Sequence, residues 1–240
     1  MRLTVFNGSP RGRSSNTRRL LGFFLEGFSR IPGNEFEITY LVDRRPDEAL
    51  KRFRQAKHVL IAFPLYFDAM PAMVKDFIES LAPLRKRASN PSLGFIVQSG
   101  FIEPTHSRAV KRYLAKLARR LGCPYRGTVI KGGGEAVRIV SLRQNLLGKA
   151  IFWLAGKTDI GGFGHLLSTD KLKQMFFELG QSFGRTGHFD PALVARLARP
   201  EKLNRFHFWL AKTVVERFYW NRLLKKNKAF SKRFDRPFAG

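Results

Sequence analysis

Short apolar runs alternate with stretches of helical period along the first 131 residues. Leu3–Phe6 reads as a strand that ends in the turn-forming Asn7-Gly8-Ser9-Pro10. From Asn16 the apolar positions Leu20, Leu21, Phe24, Leu25 and Phe28 recur at helical spacing until Pro32-Gly33 stops the helix. Phe36–Leu41 alternates as a second strand, Pro46 to about Gln55 reads as a short helix, and Val59–Phe63 as a buried third strand. After Pro64 a loop leads into a helix over Pro71–Leu84, with Met73, Phe77 and Leu81 on one face. Leu93–Val97 is a fourth strand and Gly127–Lys131 a fifth. Between them, about Thr105 to Leu121 reads as an amphipathic helix with Val110, Leu114, Leu117 and Leu121 inward. Strands separated by helices throughout imply an α/β fold with a doubly wound, five-stranded parallel sheet and helices on both faces.

Beyond Lys131 the pattern changes. Gly132–Gly134 opens a less regular region, with a helix expected near Leu142–Leu154 and a glycine-rich link at Gly156–Gly164. A helix from about Ser168 to Gly184 is expected to return to the sheet as its fifth crossover helix. Residues 132–165 then form an excursion over the C-terminal edge of the sheet. From Pro191 the tail reads as helical again. The expected division is an α/β domain over 1–190 and a basic, amphipathic helical extension over 191–240.

Composition narrows the classes. A 44% apolar content with 23 Phe supports a large core and argues against disorder. The single cysteine, Cys123, excludes an intramolecular disulfide and any multi-cysteine metal or iron–sulfur site. The opening residues are too short an apolar run for a signal peptide, and no stretch approaches the roughly 20 apolar residues of a spanning helix. The expected location is therefore cytoplasmic, at most peripheral to the inner face of the membrane. Charge alters the picture more, because 44 Lys+Arg against 18 Asp+Glu give +26 and attract anionic partners.

Three segments carry candidate chemistry. In "VFNGSPRGRSSNTRRLL" a strand passes through a polar loop into a helix, which is the arrangement of an anion site at a helix N-terminus. Gly8 and Gly12 let the backbone curve, Ser9, Ser14, Asn16 and Thr17 offer donors, and Arg11 offers a guanidinium fork. Arg18 and Arg19 stand in the first helical turn, where the macrodipole disfavours cations and a phosphate offsets the repulsion. The loop matches neither a P-loop nor a dinucleotide fingerprint, and a plain capped turn stays open as the other reading. In "VLIAFPLYFDAMPAMVKDFIE" the third strand ends in Pro64, Leu65, Tyr66 and Phe67, planar and apolar groups that suit a flat aromatic ligand or complete the core. In "FIVQSGFIEPTH" the fourth strand ends in Ser99, Gly100 and Phe101, where glycine exposes main-chain groups. All three loops fall at the C-terminal edge of a parallel sheet, where ligands of open α/β folds bind.

Together "NGSPRGRSSNT", "PLYFDAMPAMVKDFIE" and "SGFIE" resemble the NADPH-dependent FMN reductase and flavodoxin-like flavoprotein family, over roughly residues 1–135. The resemblance implies a flavodoxin-like sheet and bound FMN. The phosphate would be held by Ser9, Arg11, Ser14, Asn16 and Thr17. Pro64–Phe67 would pack on the isoalloxazine, Ser99–Phe101 would line its polar edge, and Gly133 and Gly134 would border the pocket. It further implies NAD(P)H as electron donor, a small-molecule acceptor such as a flavin or quinone, and a homo-oligomer, dimer or tetramer. An electron-transfer flavoprotein without an NAD(P)H site is the alternative.

No protein nucleophile or acid–base pair is expected, since flavin chemistry takes place at the ring. His58, His106, His165, His188 and His207 lack metal-site spacing, and Asp68, Glu103 and Glu135 read as solvated loop carboxylates. In the tail, Leu203, Phe206, Leu210, Val214 and Phe218 form an apolar stripe beside Arg205, Lys212, Arg217, Arg222, Lys225 and Lys226. That stripe either packs on the domain or a second subunit, or lets residues 201–240 lie on an anionic membrane surface. No specific nucleic-acid module is present.

Overall fold

The computed structural model describes residues 1–66, 68–100, 107–133, 169–198 and 220–233. Five parallel strands, β1 Arg2–Asn7, β2 Glu35–Tyr40, β3 His58–Leu65, β4 Ser92–Ser99 and β5 Tyr125–Lys131, form one sheet in the order β2-β1-β3-β4-β5. The helices are α1 Asn16–Phe28, α2 Pro46–Gln55, α3 Ala72–Ser80, α4 Arg108–Leu121, α5 Thr169–Thr186 and α6 Pro191–Leu197. This is the flavodoxin-like order, in which the chain reverses its direction of winding between β1 and β3.

Alternation along each strand divides the core in two. Val59, Ile61 and Phe63 of β3 join Phe53 of α2, Phe77 of α3 and Leu114 of α4 on one face. Leu60 and Ala62 join Leu20 and Phe24 of α1 and Phe176 and Phe183 of α5 on the other. Aromatic rings fill both layers: Phe6 and Phe77 lie 4.7 Å apart between centroids, and Phe183 and Phe189 4.8 Å. Each such ring, fully buried, contributes about 1.5–3 kcal/mol from area alone.

α5 is the expected fifth crossover helix, and its seat on α1 depends on two glycines. A Cβ added at Gly180 would lie 1.9 Å from the Phe24 carbonyl oxygen, and one at Gly27 would lie 2.0 Å from that of Phe177. The two backbones touch where each helix lacks a side chain, and Asn34 Nδ2 adds a 2.9 Å bond to the Gly184 carbonyl.

β3 runs two residues past its expected end. Gly8 N–H donates to the Ala62 carbonyl at 2.8 Å, the last rung on the β1 side. Alternate residues of a strand face the same neighbour, so the N–H that Pro64 lacks would have pointed where β1 has already turned away. Pairing with β4 carries on, through Pro64↔Gln98 and Leu65↔Ser99. Proline thus ends nothing here.

The compact first unit is Met1–Pro200 and a second is Glu201–Gly240. The first therefore extends past the boundary expected at residue 190. Asp190 caps α6 by accepting from Ala192 and Leu193 N–H, and Leu197 is buried with Leu3, Leu60 and Phe189, so α6 belongs to the domain core. The expected excursion at 132–165 lies outside the described residues apart from Gly132 and Gly133. The apolar stripe from Leu203 to Phe218 also lies outside them. Within the second unit, α7 Asn221–Lys226 is followed by Phe230, whose ring lies beneath Lys225 and Arg233 at 5.1 and 4.0 Å. Among the described residues no helix is long and apolar enough to cross a membrane.

Cys123 sits between α4 and β5, 5% exposed, and burial pushes its thiol up to about 11.

Candidate functional site

Because the sheet is parallel, every βα loop leaves from the same edge. The β1 loop folds on itself: Ser9 N–H donates to Asn7 Oδ1 at 2.9 Å, Gly12 N–H to the Ser9 carbonyl at 2.9 Å, and Ser14 N–H to the Arg11 carbonyl at 3.1 Å. Gly8 has no room for a side chain, since a Cβ there would lie 2.2 Å from Val74 of α3. The loop is thereby clamped against α3 as it leaves the sheet.

Ser15 caps α1. Its Oγ accepts from Arg18 N–H at 3.0 Å and donates to the Gly12 carbonyl at 2.7 Å. Two residues on, Thr17 is 1% exposed and its Oγ1 has no hydrogen-bond partner. Asn7, fully buried at the end of β1, likewise leaves its Nδ2 unpaired. An unpaired buried polar group costs about 1–3 kcal/mol. Two of them flank the loop that opens onto the helix N-terminus.

The charge around this loop is positive. No Asp or Glu occurs before Glu26, whereas Arg11, Arg13, Arg18 and Arg19 all precede it. Tyr40, at the end of β2, organises two of these cations. Arg18 Nε donates to its hydroxyl at 3.0 Å, and the Arg13 guanidinium lies 4.6 Å above its ring centroid. Arg13 also reaches Asp43 at 3.9 Å.

The β3 loop is a tight reversal. Tyr66 and Ala69 exchange two backbone hydrogen bonds, of 2.9 and 3.0 Å, and Asp68 takes a left-handed φ of 64° that aspartate tolerates. Pro64 and Leu65 are buried, while Tyr66 is 48% exposed beyond them. On β4, Ser99 is 3% exposed and Gly100 open. Ser107, at the start of α4, is fully buried with its Oγ unpaired.

The residues expected from sequence are therefore distributed as follows. Ser9, Asn16 and Thr17 are buried around the start of α1, and Arg11 and Ser14 are exposed on the loop. Pro64, Leu65, Tyr66, Ser99 and Gly100 sit at the ends of the two neighbouring strands, whose register pairs Leu65 with Ser99. Phe67, Phe101, Glu103 and Glu135 lie outside the described residues, as does Gly134, while Gly133 follows β5 with φ 73°. Asn7, Ser15, Tyr40 and Ser107 were not anticipated. A polar residue closing a buried strand was the available signal for Asn7; nothing local marks Tyr40. Among the described residues no group of His, Cys, Asp and Glu could hold a metal ion.

A family model described as a flavodoxin-like fold matches residues 1–86. No curated protein matches the chain in sequence. Among solved structures, azoreductase AzrA is similar with a TM-score of 0.51 and 13% identity, over 76% of this chain and 100% of that one. An FMN-dependent NADH-azoreductase from Bacillus anthracis str. Ames Ancestor, in complex with FMN, gives 0.50 and 15%, over 83% and 100%. The apo form of the NADH:FMN oxidoreductase EMOB gives 0.51 and 14%, over 83% and 96%. At these identities the likeness is one of fold. The strand order, the match at the N-terminal end and these neighbours make the chain a flavodoxin-like α/β protein.

Proposed function

We propose that the chain binds FMN at the C-terminal edge of the sheet and transfers electrons from NAD(P)H through it to a small acceptor such as a flavin or quinone. The observation that carries this reading is the buried, unpaired Thr17 Oγ1 in the first turn of α1. A hydroxyl held there without a partner, beside an arginine-rich loop free of carboxylates, fits a phosphate monoester. Ser9, Arg11, Ser14 and Asn16 complete the phosphate set in this reading, and Asn7 Nδ2 supplies a further donor at the strand end. In the same reading Pro64, Leu65 and Tyr66 form the wall for the flat ring, and Ser99 and Gly100 line its polar edge.

FMN, when bound, supplies hydride acceptance and electron release, so no protein nucleophile is needed. The chain's own part is binding and orientation. The clamped β1 loop holds the phosphate end, and the backbone pairing of Tyr66 with Ala69 supports the ring wall. Three solved structures of similar fold, two azoreductases and an NADH:FMN oxidoreductase, lend support as analogies of fold alone.

The test begins with the colour of the purified protein and the flavin released on denaturation. Yellow protein that releases FMN and is bleached anaerobically by NADH or NADPH is the expected result. A colourless chain that cannot be reconstituted with FMN overturns the proposal. Bound FMN that neither nucleotide bleaches removes the reductase and leaves an electron-transfer flavoprotein.

A further inference from the structure

Between Glu79 and Glu103, and again between Glu103 and Glu135, the chain contains no Asp or Glu. The described parts of these two stretches meet on one surface. α4 presents Arg108, Lys111, Arg112, Lys116, Arg119 and Arg120 to solvent, while Val110, Leu114, Ala118 and Leu121 face the core. The exposed Arg85–Arg87 turn is fixed beside its C-terminal end, because Lys86 N–H and Asn90 Nδ2 both donate to the Leu121 carbonyl.

Elsewhere on the domain several cations have carboxylate partners: Arg2 and Arg52 pair with Glu37, Arg44 with Glu48, Lys173 with Glu26 and Arg196 with Glu178. No cation of the α4 face has such a partner among the described residues. Arg108, Arg112, Lys116 and Arg120 follow one another at i,i+4, a spacing at which like charges repel. Arg108 also opens the helix, at the end where the macrodipole disfavours a cation. The arrangement works against the helix in isolation and is relieved by an external array of negative charge.

We propose that this face of α4, with the Arg85–Arg87 turn, docks on an anionic lipid surface. A straight helix presenting one cationic arc meets a flat lattice of headgroups along its whole length. Tyr113, 45% exposed, and Tyr125, 36% exposed, border the arc with rings suited to headgroup depth. The described part of the second unit repeats the chemistry, with Trp220 50% and Leu223 36% exposed among Arg222, Lys225 and Lys226. Nucleic acid is the poorer match, since the described residues of this face carry no stacked aromatic platforms.

Sedimentation of the full chain with phosphatidylcholine vesicles, with and without phosphatidylserine, tests this. Binding to the phosphatidylserine vesicles is expected, falling with added salt. The triple variant Arg112→Glu, Lys116→Glu and Arg119→Glu is expected to lose about tenfold or more in partitioning with an unfolding midpoint no lower than the parent's, since it relieves the i,i+4 repulsion. If the triple variant does not fold, the Gln versions of the same three positions take its place. Equal binding by folded variant and parent assigns the lipid contact to the tail and overturns the proposal. Equal binding to neutral vesicles overturns it as well. So does failure to bind vesicles while duplex DNA is bound in an α4-dependent way.

Discussion

The Cα of Gly180 faces the Phe24 carbonyl so closely that a methyl group on it would lie 1.9 Å from that oxygen. The neighbour is helix backbone, which cannot rotate aside. Gly180→Ala is therefore expected to lower the free energy of unfolding by about 1–3 kcal/mol, the usual cost of overpacking. Gly22→Ala, one helical face away on α1, should act in the opposite sense. Its Cβ would meet only the tip of the Arg18 side chain, at 3.1 Å. Removing a helix-interior glycine there gains about 0.5–1 kcal/mol. Urea unfolding of both variants checks the pair; a destabilised Gly22→Ala or a neutral Gly180→Ala contradicts it.

Capping and ligand binding separate at two hydroxyls of one turn. Ser15→Ala removes the α1 cap and is expected to cost about 1 kcal/mol of stability. Thr17→Val keeps the shape and deletes the unpaired Oγ1, so the ligand-free protein should be as stable or more so. Its FMN affinity should fall about tenfold, a charge-assisted hydrogen bond's worth. Flavin fluorescence titration and thermal unfolding, run on both variants, read the two effects. Unchanged FMN affinity in Thr17→Val would falsify the phosphate assignment.

His58 makes a 2.9 Å hydrogen bond to Ser92 Oγ, and its pKa is lowered by burial first, then by Arg126, the N-terminal amine and Lys57. A depressed folded-state value means that the fold prefers the neutral ring. Its contribution is present above the ordinary value of 6.5 and is lost as pH falls below it. Unfolding free energies measured through that range should decline less steeply in His58→Gln than in the parent chain. Parallel declines exclude this origin.

The Cys123 thiol shows the reverse sign. Its value is raised from 9.0 to about 11, so the contribution is complete below pH 9 and lost as pH rises towards 11. Lysine and tyrosine titrate there too, so the difference between parent and Cys123→Ala is the quantity to follow. In the native state a thiol reagent should leave Cys123 unmodified at neutral pH and label it only after denaturation.

Much of this architecture was legible from periodicity. Each described strand and α-helix in the first 131 residues was expected where it stands, within about four residues at its ends. Three particulars were not. Pro64 reads as a strand terminator, and only the early departure of β1 makes its missing N–H harmless. Ser14 and Ser15 are indistinguishable as caps until the Gly12–Ser14 turn places Ser15 at the helix start and leaves Ser14 exposed. Leu193, Val194 and Leu197, read from sequence as part of the tail, find their partners on a sheet built long before them in the chain. The loop donors around α1 were readable because strand, glycine and helix are contiguous there. Tyr40 and Ser107 were hidden because their roles depend on chain neighbours far away in sequence.

The lone buried thiol also bears on electron storage. Within these 240 residues no disulfide can form, and the one sulfhydryl is buried. No thiol relay can pass reducing equivalents from one side of this domain to the other. If FMN is bound as proposed, the two-electron capacity measured in a reductive titration of the native protein is that of the flavin, and scales with its loading.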